Sequence, residues 1–423
     1  MSEHSPVQHD IFRPVPRTGV IYVMAEAAER GFAYGKAGWA NLGQGAPETG
    51  ELPGCTPRVH HIDVDPASHE YGPVGGLLEL REAVAALYNA RYRKGLPSQY
   101  TAENVAISAG GRTALTRVLA TLGNGHLGHL LPDYTAYEEL LGIFRAFVPI
   151  PIVLDPAEGF ALTPARLRAE IVGKGLGAVL LSNPCNPTGQ VVRGRDMRAW
   201  VETSRKLGCA LILDEFYSHY LYDAAAASEG ASTSAARFVE DVNEDPVILV
   251  DGLTKNWRYP GFRLAWTVGP RDVIERLTSA GSFLDGGPPH PMQRAALPLL
   301  AREHADREAL AIQKAFAEKR WMMLERIREL GLGLDHVPLG AFYCFVSLEN
   351  LPPALQDGHA FFRAALEKQV IVVPGEFFDV NPGKRRSHIP SRLKSYVRLS
   401  FGPEAQVVRE GMDRLAAMIR EHG

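Results

Sequence analysis

The chain has 423 residues, a formal net charge of -3, and hydrophobic and charged fractions of 46% and 22%. That length allows two lobes with a substantial core, since single cores stop growing near roughly 250–300 residues. The near-balanced charge gives no electrostatic case for nucleic acid or an anionic membrane surface.

The four cysteines, Cys55, Cys185, Cys209 and Cys344, lack metal-ligand spacing, and no metal site is expected. They predict reduced thiols in a cytoplasmic protein. No apolar run approaches the roughly 18 residues of a membrane span, and the polar stretch Met1–Val20 lacks a signal-peptide core. The segment through Arg17 reads as an arm, and Val20–Phe32 as a short helix. From Ala102 to Pro270, short apolar runs alternate with helical stretches. The runs are Val105–Ser108, Ala178–Leu181, Ala210–Leu213 and Val247–Val250. Runs this apolar suit strands covered on both faces, as in a parallel α/β sheet. Gln293–Leu332 predicts a long charged helix. Strands at Ala341–Leu348 and Tyr396–Ser400, with a helix at Gly358–Lys368 between them, predict a smaller α+β lobe. Lys384-Arg385-Arg386, beside Pro382 and Gly383, is expected to be a solvated loop.

Five segments carry chemistry. Gly110-Gly111-Arg112 follows a strand and opens a helix, where glycines let backbone amides approach a phosphate. Ser182-Asn183-Pro184-Cys185-Asn186-Pro187-Thr188-Gly189 forms a rigid elbow after a strand and projects Asn186 as a hydrogen-bond donor. Asp214, in Leu213-Asp214-Glu215-Phe216-Tyr217, ends another strand, at the sheet edge where α/β proteins bind ligands. A carboxylate buried there stays ionised only if paired, and a protonated pyridine nitrogen is a suitable partner. Lys255, in Thr254-Lys255-Asn256-Trp257-Arg258-Tyr259-Pro260-Gly261-Phe262-Arg263, can condense with an aldehyde once burial frees its amine. Arg263 can hold an anion on the same molecule. Arg398, on the apolar run Tyr396–Ser400, needs an anion, and its planar fork matches a carboxylate. Together these describe a site for an aldehyde-bearing, phosphorylated pyridine.

In these motifs the chain resembles the class I/II aminotransferases, pyridoxal-phosphate enzymes of fold type I, from Asn41-Leu42-Gly43-Gln44-Gly45 to Phe401-Gly402. The resemblance implies an α/β fold with a mostly parallel seven-stranded sheet, helices on both faces and a smaller α+β domain. The implied division is 1–50 as arm and part of the small domain, 51–300 as the large cofactor-binding domain, and 301–423 as the C-terminal small domain. It implies pyridoxal 5'-phosphate as cofactor, joined to Lys255 as a Schiff base, with Lys255 also moving the Cα proton. Asp214 would pair with the pyridine nitrogen, Asn186 and Tyr217 would bond the phenolic oxygen, and Tyr134 would stack on the ring. The Gly111 and Arg112 amides, Thr254 and Arg263 would hold the phosphate, with Tyr71 reaching it across a homodimer interface. Arg398, helped by the Gly45 backbone, would clamp the substrate carboxylate. The implied reaction is a ping-pong exchange of an amino group between an L-amino acid and a 2-oxo acid. A lyase, or an oxidase or hydroxylase of the same family, is the alternative. A regulator that borrows the fold would need an appended DNA-binding domain, which is not expected here.

Three stretches depart from the family pattern. Gly252 stands where many relatives carry a serine or threonine phosphate ligand. In Gly281–His290, Asp285 or His290 could read a substrate side chain, or the stretch is a structural loop. An acidic reader would favour a cationic substrate, and an aromatic lining from Phe216, Phe377 and Phe378 a bulky apolar one. The insert 379–394 is longer than relatives usually need.

Overall fold

Short apolar runs, punctuated by glycine, proline and capping residues, divide the chain into alternating strands and helices. A computed structural model describes residues 15, 17–223 and 230–423; most of the predicted arm through Arg17 lies outside the described residues. In chain order come α1 (Gly19–Glu29), β1 (Ala40–Asn41), α2 (Leu78–Tyr92), β2 (Val105–Ser108), α3 (Gly111–Ala120), β3 (Gly125–Leu131), α4 (Ala136–Ile143) and β4 (Phe147–Val153). Next are α5 (Pro164–Lys174), β5 (Leu176–Ser182), α6 (Gly194–Leu207), β6 (Ala210–Asp214), β7 (Val247–Gly252), β8 (Ala265–Val268), α7 (Arg271–Leu284) and α8 (His290–Ala296). The chain closes with α9 (Arg302–Glu329), β9 (Tyr343–Ser347), α10 (Gly358–Glu367), β10 (Val370–Ile371), β11 (Val373–Pro374), β12 (Tyr396–Ser400) and α11 (Ala405–His422).

Strands β2 to β8 form one seven-stranded sheet in the order β2-β8-β7-β6-β5-β3-β4. Its pairs are parallel except those of β8, which runs antiparallel to β7 and β2. Every residue of β7 is buried, so both of its faces are covered, as an unbroken apolar run requires. Leu249 there is 0% exposed, and its replacement by alanine would cost about 2–5 kcal/mol. Local signals set the connections. Helix α5 starts with Thr163 accepting from the Arg166 N–H and Pro164 in its first turn, and stops at Gly175, whose φ is 60°.

The predicted strands at 105–108, 178–181, 210–213 and 247–250 all form, as β2, β5, β6 and β7. Three strands of the sheet escape the apolar-run criterion. Strand β4 holds Pro149 and Pro151, which cannot donate to a ladder, and it sits on the sheet edge, where proline is tolerated. Strand β3 carries His126, Gly128 and His129; burial pushes the His129 imidazole down to about 4, so it packs as a neutral ring. Strand β8 is only four residues long.

The smaller sheets are β11-β12-β9, antiparallel throughout, and the parallel pair β1-β10. One expectation needs correction here. The helix predicted over Gln293–Leu332 is broken: α8 ends at Ala296, and a 3-10 turn at Leu297–Leu300 precedes α9. Pro298 supplies no N–H there. The Lys384–Arg386 cluster is largely solvent-exposed, as expected, and is also anchored by ion pairs. Lys384 pairs with Glu138 on α4, and Arg386 with Asp379 at 2.8 Å. The Glu138 carboxylate also accepts from the Asn381 N–H at 2.9 Å.

Candidate active site

Five strands of the large sheet deliver side chains at their carboxyl ends, the edge where such sheets bind ligands. Strand β2 leads into Gly110-Gly111, β3 into Tyr134, β5 into Asn186, β6 ends in Asp214, and β7 leads into Lys255. They meet the small sheets at a cavity of about 430 Å³. Its lining includes Gly45, Gly111, Arg112, Tyr134, Asn186, Asp214, Tyr217, Thr254, Lys255, Arg263 and Arg398. Of the predicted site residues, only Tyr71 is not brought there; it lies 98% exposed on the surface.

At one end of the cavity the groups suit a phosphorylated cation. Asp214 is 6% exposed, accepts from the Tyr137 hydroxyl at 2.9 Å, and is pushed up to about 6 by burial. A carboxylate in that state gains from a cationic neighbour. Helix α3 opens on Gly110, which has φ 94° and no capping side chain, so its first-turn amides have no intrahelical acceptor. Any Cβ on Gly110 would lie 2.2 Å from an Arg263 guanidinium nitrogen, so glycine allows that cation to close on the helix start. Thr254 Oγ1 is buried without a hydrogen-bond partner among the described residues. A free hydroxyl, a guanidinium and helix-start amides form a donor set for a phosphate. The departure at Gly252 has a packing cause: a Cβ there would lie 2.5 Å from the Leu264 carbonyl oxygen of the segment entering β8.

Lys255 lies between the two ends. Burial first, then the positive charges of Arg398, Arg112 and Arg263, lower its amine to about 7. A substantial neutral fraction is therefore present near pH 7. The ammonium donates to the Gly45 carbonyl.

At the other end Arg398 is 1% exposed. Its Nη1 donates to Asn186 Oδ1 at 2.9 Å and its Nη2 to the Gly43 carbonyl at 2.6 Å, while Nε has no partner among the described residues. The guanidinium carbon sits 4.2 Å from the Tyr343 ring centre and 5.1 Å from that of Phe378. Asn41 Oδ1 accepts from the Gly43 and Gln44 N–H groups at 3.2 and 2.9 Å, which folds the turn carrying Gly45. A Cβ on Gly45 would lie 3.0 Å from the Tyr343 hydroxyl, so glycine keeps this turn close.

Several residues were not legible beforehand. Tyr343 lines the cavity and its hydroxyl shares a 2.9 Å bond with that of Tyr217. Its apolar strand context hides the role. Tyr137 lies three residues beyond Tyr134, the same-face helical spacing that could have flagged it. Ser182 donates from Oγ to Asp133 Oδ1 at 2.8 Å and accepts from the Asn186 N–H at 3.1 Å, which fixes the elbow. Neither Asp285 nor His290 lines this chain's cavity, and both are engaged in contacts that hold their loop in place. Asp285 holds Arg117 through two bonds, at 2.5 and 2.8 Å, and His290 Nδ1 lies 3.2 Å from the Glu70 carbonyl. Phe216 lines the cavity, whereas Phe377 and Phe378 do not.

A family profile described as "Aminotransferase class I and II" matches residues 37–415. The aspartate/prephenate aminotransferase of Thermus thermophilus is 30% identical over 353 residues, covering 83% of each chain. A probable aspartate/prephenate aminotransferase of Thermus aquaticus is 29% identical, covering 83% of this chain and 84% of that one. Among solved structures, aspartate aminotransferase from Thermus thermophilus with maleate aligns with a TM-score of 0.76 at 26% identity, covering 96% of this chain and 100% of that one. The chain belongs to the class I and II aminotransferases, and its fold is the α/β architecture of that family. It is an enzyme of the transferase class.

Proposed function

We propose that this aminotransferase carries the amino group of an L-amino acid to a 2-oxo acid in two half-reactions, with pyridoxal 5'-phosphate seated on Lys255. The observation that carries this is one cavity joining a lysine with a lowered pKa, a buried carboxylate, a phosphate-ready helix start and a buried arginine fork. When bound, pyridoxal phosphate supplies an electron sink for the carbanion left at the substrate Cα. Asp214 would offer its carboxylate to the ring nitrogen, and the Tyr217 hydroxyl and Asn186 side-chain amide would donate to the ring oxygen. Tyr134, which lines the cavity, would pack against the cofactor. The Gly111 and Arg112 amides, Thr254 Oγ1 and Arg263 would hold the phosphate. Arg398 would hold the substrate carboxylate beside Gly45, and a carboxylate fixed there would select the Cα–H bond for cleavage. Lys255 Nζ, freed when the substrate amine takes its place on the cofactor, would accept that proton.

No helix of the described residues is long and apolar enough to cross a membrane. A cytoplasmic location fits the free cysteines. We assign residues 51–300 to a large and 301–423 to a C-terminal small domain, with 1–50 divided between arm and small domain; the separate small sheets support this. The exposure of Tyr71 supports a homodimer in which it serves the neighbouring site.

The test is a half-reaction. Protein loaded with pyridoxal phosphate and given one amino acid without acceptor should release one 2-oxo acid per site and stop, then resume when a 2-oxo acid is added. Ammonia release or oxygen uptake without an acceptor would instead establish the lyase or oxidase alternative.

A further inference from the structure

Two buried ion-pair systems lie outside the cavity and take part in no step above. Helix α9 carries both, through Glu308 and Lys319, which are 1% and 4% exposed and about three helical turns apart. Glu308 Oε1 accepts from Arg258 Nε at 2.8 Å and from Arg58 Nη1 at 3.4 Å. Arg258 donates Nη1 to the carbonyls of Gly50 at 2.6 Å and Glu48 at 3.2 Å. Its backbone N–H donates to the Lys255 carbonyl at 3.0 Å. Lys319 Nζ donates to Glu48 Oε1 at 2.7 Å and to the carbonyls of Pro403 at 2.8 Å and Gly402 at 3.2 Å. The Glu48 N–H donates to the Gly402 carbonyl at 2.8 Å.

Three segments distant in sequence therefore converge on one helix that lends no side chain to the cavity. They are the chain just after Gly45, the loop just after Lys255, and the end of the strand that carries Arg398. Apolar replacements of buried ion pairs are often neutral or stabilising, so stability alone does not account for these charges. Fixed spacing does. We infer that Lys319 and Glu308 are positioning residues, through which α9 sets the spacing of the Gly43–Gly45 turn, Lys255 and Arg398 and so the grip on the substrate carboxylate. This rests on the aminotransferase reading and extends it to a helix outside the cavity.

The experiment compares Lys319→Met with the double variant Lys319→Met/Glu48→Met in the full-length, cofactor-loaded protein. Three readouts are taken: Tm, KM for the amino donor, and the Kd for maleate, a dicarboxylate without an amino group. The single variant leaves Glu48 short of its partner, so its Tm should fall; the double variant removes the stranded charge and should regain Tm. In both, KM and the maleate Kd should stay at least about tenfold above wild type, because small misplacements of binding groups are costly. The half-saturation for pyridoxal phosphate, followed by fluorescence, should stay within about twofold, since Lys319 bonds to the Gly45 and Arg398 segments and not to the loop after Lys255, which Glu308 holds through Arg258. A double variant that recovers Tm and carboxylate affinity together would reduce the pairs to structural ties and overturn the inference. So would a single variant whose maleate Kd is unchanged. Wild-type protein that binds maleate yet transfers no amino group would defeat the reaction assignment alone, because the Kd comparison still decides the role of Lys319.

Discussion

The two ends of the cavity are assembled by different rules. At the Asp214 end the key groups hang from carboxyl ends of neighbouring strands in one sheet, and each lies within a few residues of the apolar run that positions it. At the Arg398 end the groups come from β12, from the turn after β1, and from Tyr343 on β9. Strand β1 is placed by pairing Ala40 with Val370, far along the chain. One end is a product of local sequence and sheet order; the other exists only once distant segments have paired. Changes at the first end should act on cofactor chemistry, and changes at the second on substrate grip.

The largest effect that would sharpen this contrast is at Lys255. Lys255→Ala should lower amino transfer by more than about a thousandfold, because both the covalent attachment and the proton acceptor are lost. Single-turnover measurement checks it, and activity near wild type would remove Lys255 from the chemistry. Arg398→Met should lower kcat/KM by roughly 30- to 4,000-fold, the equivalent of about 2–5 kcal/mol for one side of a buried charge pair. The loss should be seen mainly in KM and in oxo-acid affinity, with pyridoxal phosphate affinity little changed. Equal loss of both affinities would erase the distinction between the two ends.

Lys255 also predicts a pH dependence. With its amine lowered to about 7, cofactor-free protein should take up pyridoxal phosphate at a rate that rises about tenfold per pH unit below 7 and levels off above it. Stopped-flow absorbance checks this; a rise continuing to pH 10 would indicate an ordinary lysine. Asp214 gives the smallest effect and the opposite sign. Its folded-state value, about 6, is above the ordinary 3.8, so the cofactor-free fold is penalised progressively as pH rises from about 4 through 6. Asp214→Asn should therefore stabilise the cofactor-free protein at pH 8 by about 1–3 kcal/mol, show little gain below pH 4, and impair transfer in the loaded enzyme. Equal Tm for the two proteins at pH 8 would contradict the cost assigned to this buried carboxylate.

Legibility followed the same divide. The strand-end motifs at Asn186, Asp214 and Lys255 could be read because strand, turn and functional side chain are contiguous. Arg398 could be read because a charge interrupts an apolar run. Tyr343 could not, since a tyrosine in Phe342-Tyr343-Cys344-Phe345 looks like core until β9 pairs with β12 and sets it beside the Arg398 fork. The pairing of Asp285 was hidden for the converse reason: its partner Arg117 lies on α3, distant in sequence. Strand β4 was hidden by prolines that only an edge position tolerates, and α9, though expected as a helix, gave through its charged composition no sign of Lys319 and Glu308 facing inward.

The central claim is that Lys255 is the point at which cofactor and substrate chemistry meet. It is tested most directly by incubating the purified protein with pyridoxal phosphate, reducing with borohydride and mapping the modified peptide by mass spectrometry. The account predicts one pyridoxyl group per chain, on the peptide containing Thr254-Lys255-Asn256, and its absence when the protein is first converted with an amino donor. Modification of a different lysine, or none at all, would contradict it.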